Sequence, residues 1–146
     1  MGRLDGKVAI ITGSNSGVGA ATAKLFAKEG AKVVISARRL PQLEEVAAEI
    51  RAEGGEVLIV QTDVSKNEDA VNLVAKTVEA FGKVDVLVNN AGVLEAGLKP
   101  IDCVEDDDID WVFGINTKGT INCTRAALQE MKKNNAGSII NLDSVA

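Results

Sequence analysis

The residues best suited to chemistry lie near the start of the chain, in Thr12-Gly-Ser-Asn-Ser-Gly-Val-Gly19. Glycines at this spacing let a backbone approach a phosphate. Gly13 allows a tight turn out of a strand, Gly17 lets the main chain come close to a pyrophosphate, and Gly19 lets the following helix pack against a sheet. Ser14, Asn15, Ser16 and Val18 complete a loop whose N–H groups face an anion at the positive end of a helix dipole. A glycine-rich turn alone is as often structural. Its place between a first strand and a first helix favours a dinucleotide. Other polar residues follow apolar runs: Arg38 and Arg39, Asp63, Asn89 and Asn90, and finally Ser144. Asn116 interrupts an apolar helical stripe, where a buried amide left unpaired would cost about 1–3 kcal/mol and so needs partners.

The elements that must position these residues alternate regularly. Apolar runs at 8–11, 33–36, 57–60, 84–88 and 138–142 read as buried strands. Between them lie helical periodicities. Val18, Thr22, Leu25 and Phe26 share the face of a first helix that stops at Gly30. Pro41 opens a second, with Leu43, Val46, Ala47 and Ile50 inward. Ser65 and Glu68 have the spacing of a capping box and start a third, with Val71, Val74, Val78 and Phe81 inward. Asp106, Asp107 and Asp108 start a long fourth helix, whose inner stripe is Ile109, Val112, Asn116, Gly119, Cys123, Ala127 and Met131. Near-continuous apolar strands need helices on both faces, and right-handed crossovers then give an α/β Rossmann-type doubly wound parallel sheet of about five strands. Such sheets bind ligands at the carboxyl ends of their strands, where Gly13, Asp63, Asn89 and Ser144 all fall.

Bulk properties agree. With 146 residues the chain suits one dinucleotide-binding domain. The composition, 46% hydrophobic and 25% charged, is that of an ordinary globular protein. A net charge of −5 argues against a nucleic-acid partner. No apolar run is long enough for a membrane span, and the N-terminus has no apolar signal region. Cys103 and Cys123 form neither a disulfide framework nor a metal pattern, which suits a reducing cytoplasmic setting.

The ordered motifs resemble the short-chain dehydrogenase/reductase family. The loop matches the family's T-G-x-x-x-G-x-G, and Asp63-Val64 falls where the family contacts adenine. Asn89-Asn-Ala-Gly92 matches its sheet-stabilising, cofactor-contacting turn, which places Asn90, Ala91 and Gly92 at the cofactor. Asn116-Thr-Lys-Gly119 matches its N-x-x-G, and Gly137-Ser-Ile-Ile-Asn-Leu-Asp-Ser144 the strand ending in a catalytic serine. The resemblance implies hydride transfer between a nicotinamide dinucleotide and a carbonyl or alcohol substrate. It makes Asn116 the holder of a proton-relay water and Ser144 the hydroxyl that bonds the substrate oxygen. It also implies a homo-oligomer through the long helix at 106–133.

Cofactor choice turns on the end of the second strand. An acidic residue there binds the ribose hydroxyls of NAD. This chain has Ala37, then Arg38 and Arg39. The family pattern makes Arg38 the contact to the 2′-phosphate of NADP, so NADP is expected over NAD, although Ser16 stands where many NADP-using relatives have a basic residue. Asp143 stands where a serine or small residue is usual.

The family also needs a tyrosine and, four residues later, a lysine, about a dozen residues beyond Ser144. The chain has no tyrosine and no histidine. By that mechanism it should not catalyse hydride transfer alone. Two explanations stand: a truncated part of a longer oxidoreductase, which we favour, or a natural short form serving as a non-catalytic NADP-binding or regulatory module. A receiver- or flavodoxin-like signalling domain would need an acidic pocket where Thr12-Gly13 stands. The substrate is not legible.

Overall fold

The computed structural model describes residues 2–94 and 98–144. Strand β1 (Val8–Thr12) leads into helix α1 (Gly17–Lys28), followed by β2 (Lys32–Ala37), α2 (Leu40–Ala52), β3 (Val57–Gln61), α3 (Asn67–Phe81) and β4 (Val86–Asn89). Next in the order comes α4 (Asp106–Phe113), which passes through a π turn (Gly114–Lys118) into α5 (Gly119–Lys133), and β5 (Ser138–Asn141) follows. The five strands form one parallel sheet of order β3-β2-β1-β4-β5. The order reverses between β1 and β4, because α1 leads outward to β2 while the later chain returns to the other side of β1.

Alternation along each strand divides the core in two. Ala9, Ile11, Val33 and Ile35 face α1 and α2, where Ala23, Leu43 and Ala47 are buried against them. Ile10, Val34 and Leu87 face α3 and α5, where Leu73, Cys123 and Ala127 close the second layer. Burying each large side chain of this kind contributes roughly 1.5–3 kcal/mol. Burial also pushes the Cys123 thiol up to about 12, so it stays neutral.

Helix α2 has the expected inner face, Leu43, Val46, Ala47 and Ile50. Three other expectations need correction. In α1 the buried residues are Gly19, Ala20 and Ala23, while Val18 and Leu25 are exposed at 61% and 51%; small side chains let this helix approach the sheet closely. In α3 the buried face is Ala70, Leu73, Val74 and Thr77, and Val71 lies outside it. The capping box is absent, since α3 begins at Asn67 after Lys66. The turn before it is instead held by Asp69, whose Oδ2 accepts the Asp63 N–H at 2.8 Å.

The third correction concerns the long helix. Gly119, Cys123, Ala127 and Met131 are buried as expected, but Ile109 and Asn116 are exposed, and the buried residue before Gly119 is Ile115. A π turn inserts one extra residue, which shifts the phase of everything before it by about a third of a turn. At the front, Asp108 Oδ2 accepts the Glu105 N–H at 3.1 Å and pairs with Lys99 at 2.7 Å. The Lys99 hydrogen bond holds the Asp108 carboxyl below its ordinary range. No helix among the described residues is long and apolar enough to cross a membrane.

The assignment of the α3 face is testable by paired truncations. Leu73→Ala should lower unfolding stability by about 2–5 kcal/mol and Val71→Ala by less than about 1 kcal/mol. Equal losses in denaturant melts would contradict it.

Candidate dinucleotide site

The sheet's switch point is tied by side chains rather than by the strand ladder. Thr12 Oγ1 accepts the N–H groups of Asn90 and Ala91 at 3.1 and 3.0 Å. In return, Asn90 Nδ2 donates to the carbonyls of Thr12 and Gly13, both at 3.0 Å. Asn89, buried beside it, donates to Thr124 Oγ1 at 3.0 Å and Asn141 Oδ1 at 2.9 Å, linking β4 to α5 and β5. The carboxyl ends of the strands are thus fixed relative to one another.

The glycine loop is built onto this tie. Gly13 has φ +63°, and a Cβ there would lie 2.7 Å from Ala91 Cα. A Cβ at Gly19 would collide with Asn90 Nδ2 and the Gly13 carbonyl. Gly17 differs: it has φ +55°, yet nothing lies within 4 Å of where its Cβ would be. The main chain there is open to a ligand. Helix α1 starts immediately, and its Ser16 makes no side-chain cap, so the first N–H groups of the helix keep their capacity for an acceptor. Ser16, Gly17 and Val18 are exposed.

A cleft of about 190 Å³ opens beside the loop, several times the roughly 30 Å³ of one water. Of the residues expected at a cofactor, Gly13, Asn15, Arg38, Asp63, Val64, Ala91 and Gly92 line it. Arg39 and Thr62 also line it. Both arginines are exposed. Asp63 Oδ1 is engaged by the Ser65 N–H at 3.0 Å and Oγ at 2.6 Å, which fixes its carboxylate at the cleft wall.

Ser14 departs from the expectation of a phosphate contact. It is fully buried. Its hydroxyl donates to Ile11 O at 2.8 Å and accepts the Ser36 N–H at 2.9 Å, while its own N–H goes to Ser36 O at 3.1 Å. The residue splices the loop onto β2, and both its hydroxyl and its N–H are committed to that splice. The Asn116 side chain is fully engaged: its Oδ1 accepts the Val93 N–H and its Nδ2 donates to Val93 O, both at 2.8 Å. The side-chain amide is therefore a clamp on the main chain at Val93. The Asn116 carbonyl accepts from Thr120 Oγ1 at 2.9 Å. Ser144 is exposed just past β5, with its N–H on Asp143 Oδ1 at 2.7 Å. The Asp143 carboxylate thus folds back onto the main chain.

Several positioning residues carried little signal. Thr12 looked like the end of a strand, although its hydroxyl organises the switch point. Asn122 is buried and donates to Val64 O at 2.9 Å, fixing the β3–α3 turn against α5. It sits three residues after Gly119 and beside Cys123 on the buried face of α5, and nothing in its local spacing marks it. Ser36 is fully buried at the cleft, and nothing in an apolar strand singled it out.

Comparison with known proteins agrees with this geometry. The family described as short chain dehydrogenase matches residues 7–146. An uncharacterized oxidoreductase of Listeria monocytogenes is 41% identical over 143 residues, covering 98% of this chain and 57% of the relative. An A-factor type gamma-butyrolactone 1′-reductase of Streptomyces virginiae is 41% identical over 144 residues, covering 98% of this chain and 56% of that protein. Among solved structures, a metagenomic short-chain oxidoreductase in complex with NADP superimposes with a TM-score of 0.92 at 36% identity, covering 98% of this chain and 64% of that one. The chain spans little more than half the length of the curated relatives it matches. With the family match running through the glycine loop, the β4 turn and the π-turn helix, the chain belongs to the short chain dehydrogenase family.

Proposed function

We propose that this chain is the cofactor-binding part of an oxidoreductase acting between a carbonyl and an alcohol, and that it binds NADP in preference to NAD. The observation that carries this reading is the open main chain at Gly17 leading into an uncapped helix N-terminus, beside a cleft edged by Arg38 and Arg39. The site fits a dinucleotide: positive dipole and free N–H groups for the pyrophosphate, guanidinium groups for a 2′-phosphate, and no carboxylate at Ala37 to repel it. The relative solved with NADP supports the same choice.

In this reading Asn15, Ser16, Gly17, Val18 and Gly19 surround the pyrophosphate and Arg38 binds the 2′-phosphate. Asp63 and Val64 border the adenine, and Asn90, Ala91 and Gly92 form the wall toward the reacting end. When bound, the dinucleotide supplies or accepts a hydride. Asn116 holds the Gly92–Val93 main chain in place, acting as a positioning residue. Ser144 donates a hydrogen bond to the substrate oxygen. A proton must still reach that oxygen, and the chain has no tyrosine or histidine to deliver it. Turnover therefore belongs to a longer protein that supplies the general acid. The same composition supports a second reading, a module that binds NADP without turnover. We also propose a homo-oligomer through 106–133, where Ile109, Trp111, Phe113 and Ile121 are exposed, and a cytoplasmic setting that keeps Cys103 and Cys123 reduced.

Two measurements test the binding site. Arg38→Ala should weaken NADP binding by roughly 10- to 100-fold, the loss expected for charge-assisted hydrogen bonds, with little effect on NAD. Tighter NADH than NADPH binding, insensitive to this substitution, would contradict the cofactor choice. Among the glycines, Gly17→Ala should cost only about 1–2 kcal/mol of stability, the left-handed strain, while abolishing NADP binding. Gly19→Ala should lose both fold and binding. Normal NADP affinity in the Gly17 variant, read by titration calorimetry, would remove the loop from the site.

A further inference from the structure

The hydroxyl of Ser36 is unused by anything described so far. The residue is fully buried in β2, and its main chain is spliced to Ser14 on both sides. Its own Oγ has no hydrogen-bond partner. Buried hydroxyls are almost always bonded, so an orphan has capacity for a partner from outside the chain, a water or a ligand. Ser36 lines the cleft between Arg38 and Asp63. In the sheet register it lies between Thr12 of β1 and Val60 of β3. Of the two hydroxyl side chains lining the cleft, Thr62 commits its proton to Val60 O at 3.0 Å, which leaves Ser36 as the one whose proton is uncommitted.

We propose that Ser36 Oγ is a hydrogen-bond contact for the adenosine moiety of the bound dinucleotide. The proposal rests on the cofactor reading above. Position decides which half of the ligand is concerned. Ser36 is two residues before Arg38 and paired with the strand that leads to Asp63, so it lies on the phosphate-and-adenine side of the switch point. The reacting end lies over β4. A hydroxyl rotor donates or accepts as needed, so it suits either a ribose oxygen or a ring nitrogen.

Titration calorimetry of the full 146-residue chain tests it, using NADP and adenosine 2′,5′-bisphosphate, which lacks the nicotinamide half. Ser36→Ala should weaken both ligands by a similar factor, roughly three- to tenfold. Ser36→Cys, which keeps the size but bonds weakly, should do the same. The ligand-free thermal midpoint should stay level or rise, because the methyl group removes an unmade hydrogen bond. A purely structural serine would give the opposite pattern, a lowered ligand-free midpoint with unchanged affinity, and that overturns the proposal. Unchanged affinity for the bisphosphate in both variants overturns it while leaving the cofactor reading intact. A native chain that binds neither ligand overturns both.

Discussion

The site depends on the exchange of hydrogen bonds between Thr12 and the Asn90–Ala91 turn. Where parallel strands diverge at a switch point, the ladder ends and main-chain groups lose their regular partners. Here one hydroxyl accepts two N–H groups and one amide donates to two carbonyls. Each such bond contributes about 0.5–1.5 kcal/mol net, and linked bonds in a partly buried setting reinforce one another. The tie therefore holds the crevice at fixed width before any ligand arrives, which spares a ligand the ordering it would otherwise have to impose.

Everything that faces the crevice is referred to this tie. The Asn90 amide sits where a side chain on Gly19 would collide, so the loop glycines and the β4 turn fit each other as one unit. The start of α1 is thereby aimed, with Gly17 open above it. Ser14 joins the loop to β2 and carries Arg38 with it. On the other side, Asn116 grips Val93, and the π turn is the device that turns this amide outward while keeping Gly119 and Cys123 in the core. Positive potential from the helix terminus and the arginines converges on one opening, while the nearby carboxylate of Asp63 is held by Ser65.

Much of this was legible in the sequence because glycine and periodicity act locally. The five strands and the inner face of α2 follow from apolar runs and spacing alone, and the glycine loop announces its turn by composition. What was not legible depends on contacts between distant residues. The π turn has no local signature, and with it Ile109 lies outside the stripe while Ile115 is buried. Val18, Leu25 and Val71 are large and apolar yet exposed, whereas Phe26, Val74, Val78 and Phe81 pack toward the core as their spacing predicts. Ser14 and Ser36 are equivalent as letters, and only the packing of β1 against β2 shows which hydroxyl is spent and which is left over. The roles of Asn116 and Ser144 come from resemblance, and for Asn116 the geometry adds a side-chain clamp on Val93.

If the Thr12–Asn90 tie preorganises the glycine loop, its removal should loosen that loop without unfolding the sheet. Amide hydrogen exchange of the native chain and of Asn90→Ala, with and without NADP, tests it most directly. With NADP present, the variant should show less protection than the native chain at residues 13–19 and bind NADP at least about tenfold more weakly, while β2 and β3 keep native protection. Unchanged protection in the loop, together with native NADP affinity, would contradict it.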